Sequence, residues 1–156
     1  MMSKLKRLDE LKEVLRGRKI VLANGCFDIL HVGHLRYLQE ARTLGETLVV
    51  AINSDQSVRA IKDSGRPILS QDERVAMVSA LACVNYVVLF DEPDVSHVID
   101  VLRPAIQAKG TDYTEETVPE RRQVLSYGGQ IRITGDAKEH STRDIIQAIL
   151  DKTSGA

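Results

Sequence analysis

The chain has 156 residues, enough for one domain with a real core, and its 43% apolar and 28% charged content is ordinary for a globular protein. A formal charge of -1, from 21 basic and 22 acidic residues, argues against a protein that coats nucleic acid, but leaves room for binding a single nucleotide. No apolar run approaches the roughly 20 residues of a membrane helix, and Met1 to Arg18 alternates Leu with charged residues instead of forming a signal core, so a cytoplasmic location away from membranes is expected.

In chain order, Leu5, Leu8, Leu11 and Leu15 predict an amphipathic first helix ended by Gly17. Ile20 to Ala23 is a short continuous apolar run, as expected of a strand buried on both faces. Leu35, Leu38, Ala41 and Leu44 recur at helical spacing until Gly45, and Leu48 to Ile52 is a second strand. The polar stretch Asn53 to Leu69 reads as a long loop of the kind that is functional or mobile. Ser70 to Glu73 is a capping box opening a helix through Leu81.

Asn85 to Phe90 is strand three, and Asp94 caps a helix carrying Val95, Val98, Ile99 and Leu102. Pro104 to Lys109 is strand four; Thr117 to Glu120 is a second capping-box candidate, with its helix stopped by Gly128-Gly129. Gln130 to Thr134 is strand five, and Ser141 to Leu150 a closing helix with Ile145, Ile146, Ile149 and Leu150 on one side. The alternation predicts a single α/β domain over 1–156: an N-terminal helix to residue 17, a core over 18–150 and a short tail. Cys26 and Cys83 form neither a disulfide framework nor a Cys-x-x-Cys pair and are read as reduced packing residues.

In open parallel sheets, ligands bind beyond the carboxyl ends of strands where the strand order reverses. Two polar loops leave such ends, Asn24 to His34 and Lys109 to Tyr113; in a 3-2-1-4-5 order they face each other. The first loop has neither the dinucleotide nor the P-loop glycine pattern. It has His31-Val32-Gly33-His34 at a helix start, where free N–H groups and the macrodipole attract anions. Gly33 would let a phosphate approach the backbone, and His31 and His34 can donate to its oxygens from one side. Two other readings of the pair stay open here, a metal site without an evident third ligand and structural histidines capping a helix.

The run Gly25 to His34 resembles the signature of the cytidylyltransferase-like nucleotidylyltransferases. The branch that holds the adenylyltransferase half of bifunctional ADP-heptose synthases is the nearer resemblance. It extends through Tyr37-Leu38, Leu48 to Asp55, Ser57-Val58, Gly65-Arg66-Pro67, Glu73-Arg74 and Tyr86 to Glu92. It continues at Arg103-Pro104, Lys109 to Tyr113, Gly128-Gly129 and Ser141-Thr142, covering nearly everything after the first helix. Such a resemblance implies a doubly wound, Rossmann-like five-stranded parallel sheet with helices on both faces, in a homodimer. It also implies attack by a substrate phosphate on the α-phosphate of a nucleoside triphosphate, ATP before CTP, with Mg²⁺ carried mainly by the triphosphate.

Carried over residue by residue, His31, His34 and Lys109 would act on the phosphates. Gly25, Cys26, Phe27 and Gly33, with Ser141, Thr142 and Arg143, would bind nucleotide. Asp28, Asn53, Asp55, Arg66, Arg74 and Asp112 are the substrate-side candidates, with Arg favoured for a terminal phosphate because its fork binds two oxygens. Ser141 is also a good N-cap, with Asp144 three residues on. The sequence departs from the family pattern at Asn85 and Ala105, where Asp is usual, at Arg143 in place of Thr, and over Gly135 to His140; these changes are expected to flank nucleotide and substrate contacts. The implied reaction joins a nucleotide to a heptose 1-phosphate. The rivals are a cytidylyltransferase for glycerol 3-phosphate or another small phosphate or phosphonate, and a non-catalytic nucleotide-binding domain.

Overall fold

The computed structural model describes residues 3–137 and 140–155. Five strands, β1 (Ile20–Gly25), β2 (Thr47–Asn53), β3 (Tyr86–Phe90), β4 (Ile106–Lys109) and β5 (Gln130–Ile133), form one sheet. All its pairings are parallel, and its order is β3-β2-β1-β4-β5, as expected from the sequence. Around it lie α1 (Leu8–Val14), α2 (Val32–Arg42), α3 (Asp55–Ile61), α4 (Gln71–Ser79), α5 (Ser96–Leu102), α6 (Arg121–Ser126) and α7 (Thr142–Ser154).

The strands read as continuous apolar runs because both faces of the sheet are covered. Every residue of β2 is buried. Leu48, Val50 and Ile52 pack with Leu38 and Ala41 of α2 and with Val75 and Val78 of α4. Val49 and Ala51 point the other way, toward Leu11 of α1, Val98 and Ile99 of α5, and Val124 of α6. With each buried Val or Leu contributing roughly 1.5–3 kcal/mol of transfer free energy, this two-sided burial fixes the register and aims the strand ends.

Several predicted boundaries move for identifiable reasons. Leu5 lies outside α1: Lys6 N–H donates to Val87 O and Val87 N–H to Lys4 O, so the segment pairs with the edge strand β3. The stretch Asn53 to Leu69 is not all loop, since α3 occupies its first part, capped by Ser54, whose Oγ accepts from Ser57 N–H at 3.2 Å. Only Ser57 and Val58 of α3 are buried, too few apolar positions to show a period. Thr117 does not cap α6; its Oγ1 accepts from Thr114 N–H at 2.8 Å and closes a turn. The Ser70–Glu73 capping box forms as expected, and Asp94 accepts from Ser96 N–H at 2.9 Å just ahead of α5.

At the C-terminal end, α7 runs to Ser154, beyond the predicted stop at Leu150, and buries no residue. Asn85 and Ala105 precede β3 and β4, at the end of the sheet opposite the strand termini that would hold a ligand. There Asn85 Oδ1 accepts from Leu48 N–H at 2.8 Å and Ala105 O from Gln130 N–H at 2.9 Å, and neither residue lines the cleft at the other end.

Candidate active site

β1 pairs with β2 on one side and β4 on the other, and the loops after β1 and β4 open into a cleft of about 590 Å³. Its walls include the β1–α2 loop, the Ile61–Arg66 segment, the stretch after β3, the loop after β4, the Pro119–Glu120 turn before α6 and the approach to α7. The size suits a nucleotide-sized ligand.

The two histidines cap α2 and each other. Gly33 N–H donates to His31 Nδ1 at 3.1 Å, and His31 N–H donates to His34 Nδ1 at 3.3 Å. Their rings stack with centroids 3.9 Å apart. Because both Nδ1 atoms accept, the proton of each neutral ring sits on Nε2. Burial pushes both imidazoles below the ordinary value, His34 to about 4, so both rings are neutral at pH 7. His31 Nε2 is buried without a hydrogen-bond partner. Capping therefore uses Nδ1 and leaves Nε2 as the remaining donor of each ring. The lone pairs that a metal would need at Nδ1 are engaged by the backbone.

Gly33 serves the cap before any ligand arrives: a Cβ there would lie 2.9 Å from the His31 ring. Its N–H is occupied by His31, so it is not one of the free donors of the helix end. Phe27 adopts φ 51°, the left-handed region, which costs on the order of 1–3 kcal/mol for a non-glycine residue. The turn brings its ring 5.3 Å from His34, against Gly25, where a Cβ would stand 3.1 Å from that ring. Burial keeps the neighbouring Cys26 thiol above its usual pKa and hence protonated.

The substrate-side candidates separate into two groups. Asp28 lines the cleft but its oxygens are engaged: they accept from Arg66 Nε at 2.6 Å and from the Ile68 and Leu69 N–H groups at 2.8–3.0 Å. Burial pushes this carboxyl up, yet the combined donors hold it below its ordinary value. Its role is to anchor the Arg66–Leu69 segment, leaving the Arg66 Nη pair to offer the cleft. Asn53 lies at the cleft wall and donates through Nδ2 to Ser57 Oγ at 2.9 Å.

Arg74 and Asp55 lie outside the cleft. Arg74 is wholly buried; it donates to Cys26 O and Asn53 O at 2.7 Å, to Leu69 O at 3.1 Å and to Asp55 at 2.9 Å. Its guanidinium is thus engaged inside the protein, and it acts as a strut between the ends of β1, β2 and the start of α4.

Across the cleft, Lys109 at the end of β4 is buried, 3.4 Å from Asn24 Oδ1, 3.6 Å from Glu120 Oε2, and over the Tyr113 ring at 5.0 Å. Asp112 lines the cleft beside it and is itself engaged. Ser141 caps α7 by accepting from Asp144 N–H at 3.0 Å. Thr142 Oγ1 donates to Ile29 O at 3.1 Å, tying the helix start to the histidine loop. Arg143 is exposed and stands 3.9 Å from Asp63.

Arg36, Tyr37 and Glu120 also line the cleft, though sequence reasoning passes over them as site residues. Arg36 Nη1 donates to Asp136 at 2.6 Å, Thr111 Oγ1 to Asp136 O at 2.7 Å, and Thr134 Oγ1 to Tyr37 O at 3.1 Å. These bonds hold the Thr134–Ala137 strap over one wall; Lys138 and Glu139, within the unusual approach to Ser141, lie outside the described residues. The one available signal was position, since Arg36 follows His34 on the first turns of α2.

A family profile, Cytidylyltransferase-like, matches residues 22–148. The chain is 47% identical over 155 residues to the bifunctional protein HldE of Syntrophotalea carbinolica, with 96% of this chain and 32% of that protein covered. It is 44% identical to the bifunctional protein HldE of Geobacter sulfurreducens, covering 95% of this chain and 31% of the relative. The chain thus spans about a third of the length of these curated relatives.

Among solved structures it is similar to the lipopolysaccharide core biosynthesis protein from Thermoplasma volcanium GSS1. That match has a TM-score of 0.63 and 32% identity, over 75% of this chain and 94% of that one. Pantothenate synthetase from Thermus thermophilus shares the fold at a TM-score of 0.66 and 16% identity, over 92% and 67% of the two chains. A profile that runs from β1 into α7, together with the capped histidine pair at the switch point, makes this chain a member of the cytidylyltransferase-like nucleotidyltransferase family.

Proposed function

We propose that the chain transfers AMP from ATP to a heptose 1-phosphate, giving an ADP-heptose and pyrophosphate. A phosphate oxygen of the sugar phosphate attacks the α-phosphorus, and the bond from that phosphorus to the bridging oxygen of the β-phosphate breaks. The nucleophile is already an anion at neutral pH, so no general base is needed. The carrying observation is the pair of neutral imidazoles at the start of α2, locked by their Nδ1 atoms with Nε2–H as the remaining donor. Donors fixed before the ligand arrives stabilise charge developing on the α- and β-phosphates without reorganising, which is the main catalytic resource of phosphoryl transfer.

Lys109 supplies a cation from the facing strand, the start of α7 closes over the phosphates, and Arg66 meets the sugar phosphate. The heptose assignment is supported by the HldE relatives and by the likeness to a lipopolysaccharide core biosynthesis protein. Mg²⁺ enters this reading as the counter-ion of the triphosphate. Among the described residues no three His, Cys, Asp or Glu side chains are grouped to hold a metal, and both Asp28 oxygens are engaged, so no step is assigned to a protein-bound ion. A homodimer in the cytoplasm belongs to the same proposal; among the described residues no helix is long and apolar enough to cross a membrane.

The test is pyrophosphate release from ATP, CTP, GTP and UTP, each paired with a panel of sugar and polyol phosphates. ATP with a heptose 1-phosphate is expected to lead. A lead for CTP with glycerol 3-phosphate would reassign the enzyme as a cytidylyltransferase, and silence from every pair would leave a nucleotide-binding domain. Light scattering of the same preparation reads the oligomeric state.

A further inference from the structure

Glu120 is an acidic side chain that the phosphate-binding reading does not use although it is buried against the cleft. Its place in the sequence fits a capping box, but it makes no such bond; it turns inward at the start of α6. Glu120 and Lys109 are 8% and 7% exposed, and their charged atoms stand 3.6 Å apart. Gln107, two residues before Lys109 on β4 and therefore on the same side of the strand, is fully buried and donates through Nε2 to the same Glu120 Oε2 at 3.3 Å. Its Oε1 has no partner. A buried ion pair is a poor way to gain stability, since desolvation offsets much of its attraction. Its value here is geometric: one oxygen holds an otherwise flexible ammonium between β1 and β4.

We propose that Glu120 is a positioning residue that fixes the Lys109 ammonium at the β4 side of the cleft and keeps it charged there for the triphosphate. This rests on the nucleotidyl-transfer reading above. Of the groups placed against Lys109, Glu120 is the one whose charge opposes the effect of burial on its proton. From β1 comes neutral Asn24, from the loop after β4 the Tyr113 ring face and Asp112, and from α2 Tyr37, whose phenol donates to Ala108 O at 2.7 Å. Burial pushes the Lys109 ammonium below its usual pKa while Glu120 opposes that shift. Removing the carboxylate charge leaves burial unopposed, so Lys109 loses its proton at lower pH.

The discriminating variant is Glu120→Gln, which keeps the shape and can keep a bond to Gln107. Two readouts are needed: the pH profile of kcat/KM for pyrophosphate release, and the titration of Lys109 followed by NMR of its ¹³C-labelled ε-carbon. Glu120→Gln is expected to move the basic limb and the Lys109 titration down by at least about one pH unit, a tenfold change in the proton equilibrium. Lys109→Arg in that background is expected to restore a flat basic limb, because a guanidinium stays charged. Glu120→Asp keeps the charge but shortens the arm; it is expected to keep the basic limb and raise KM for the triphosphate. Unchanged Lys109 titration in Glu120→Gln, an activity loss equal at every pH, or a wild-type KM in Glu120→Asp would each overturn the proposal. A wild-type protein that releases no pyrophosphate defeats the nucleotidyl-transfer reading instead.

Discussion

The His31–His34 cap and the Asp28–Arg74 scaffold flank the same cleft but are built on different scales. The cap closes with bonds between residues two and three apart. The scaffold closes with bonds between residues 38 to 48 apart, from Asp28 to Arg66 and Leu69 and from Arg74 to Cys26. A motif that folds on itself can place catalytic donors wherever its helix starts. The scaffold holds the opposite wall only after β1, β2 and α4 have met. Damage to the first should therefore appear in turnover, and damage to the second in stability.

The largest expected effect follows from Arg74→Met. It preserves bulk but leaves the Cys26, Asn53 and Leu69 carbonyls and the Asp55 carboxylate without this buried donor. Removing one partner of a buried charged network costs roughly 3–5 kcal/mol. Urea denaturation should show that loss as a lower midpoint with an unchanged slope. A loss below about 1 kcal/mol, within the ordinary scatter of point variants, would mean that the wall stands without its strut and that the contrast is false.

The reverse case is His34→Ala. Losing one aligned donor to the developing phosphate charge should raise the barrier by about 2–4 kcal/mol. Loss of the reciprocal cap should cost only about 0.5–2 kcal/mol of stability. Near wild-type pyrophosphate release from this variant would remove His34 from the chemistry, whatever it does to folding.

The same difference of scale explains what could be read from the sequence. The parallel sheet and the histidine-bearing helix start were legible because their signals are short-range: apolar runs, helical periods and a motif whose residues touch one another; the strand order came from the fold type that the family resemblance implies. Arg74 was legible as an important arginine but not as an internal one. A substrate arginine and a buried strut carry the same side chain, and only the positions of Cys26 and Asn53 carbonyls distinguish them. Asp28 does line the cleft and orients Arg66, but its bonds to Arg66 and Leu69 were not legible, since those partners lie about forty residues away. Glu120 fitted a capping pattern and escaped notice because Lys109 and Gln107 come to it from another element. α3 was missed for lack of apolar residues, its start being held by Ser54.

Acid should take the two regions apart in separate pH windows. His34 is held neutral in the fold, with its pKa lowered from 6.5 to about 4. No protonation penalty falls on the fold above 6.5, and stability is lost as pH falls toward 4, because the unfolded chain binds the proton first; the loss approaches about 3 kcal/mol. Asp28 also has a lowered pKa, but its ordinary value is 3.8, so its contribution is lost only as pH falls below that. Stability measured by denaturation from pH 7 to 3 should decline in two stages. His34→Gln should shrink the upper stage to the part that His31 contributes and leave the lower one. A single decline confined below pH 4 in the wild type would show that the imidazole is not held neutral.

The smallest effect is expected at Arg143, and it sharpens the contrast because this residue belongs to neither scheme. Its guanidinium stands 3.9 Å from Asp63 with both side chains exposed, so water and salt screen the pair. Exposed pairs of this kind contribute about 0–1 kcal/mol, and Arg143→Ala should change stability by less than about 0.5 kcal/mol. Yet Arg143 sits on the first turn of α7, which Thr142 ties to the histidine loop through Ile29. A side chain that holds nothing in the free protein loses nothing by turning to a ligand. If it meets the triphosphate, Arg143→Ala should raise KM for ATP severalfold while kcat changes little, the pattern of a contact made equally in ground and transition states. An unchanged KM would leave Arg143 a solvated surface charge with no part in binding the triphosphate.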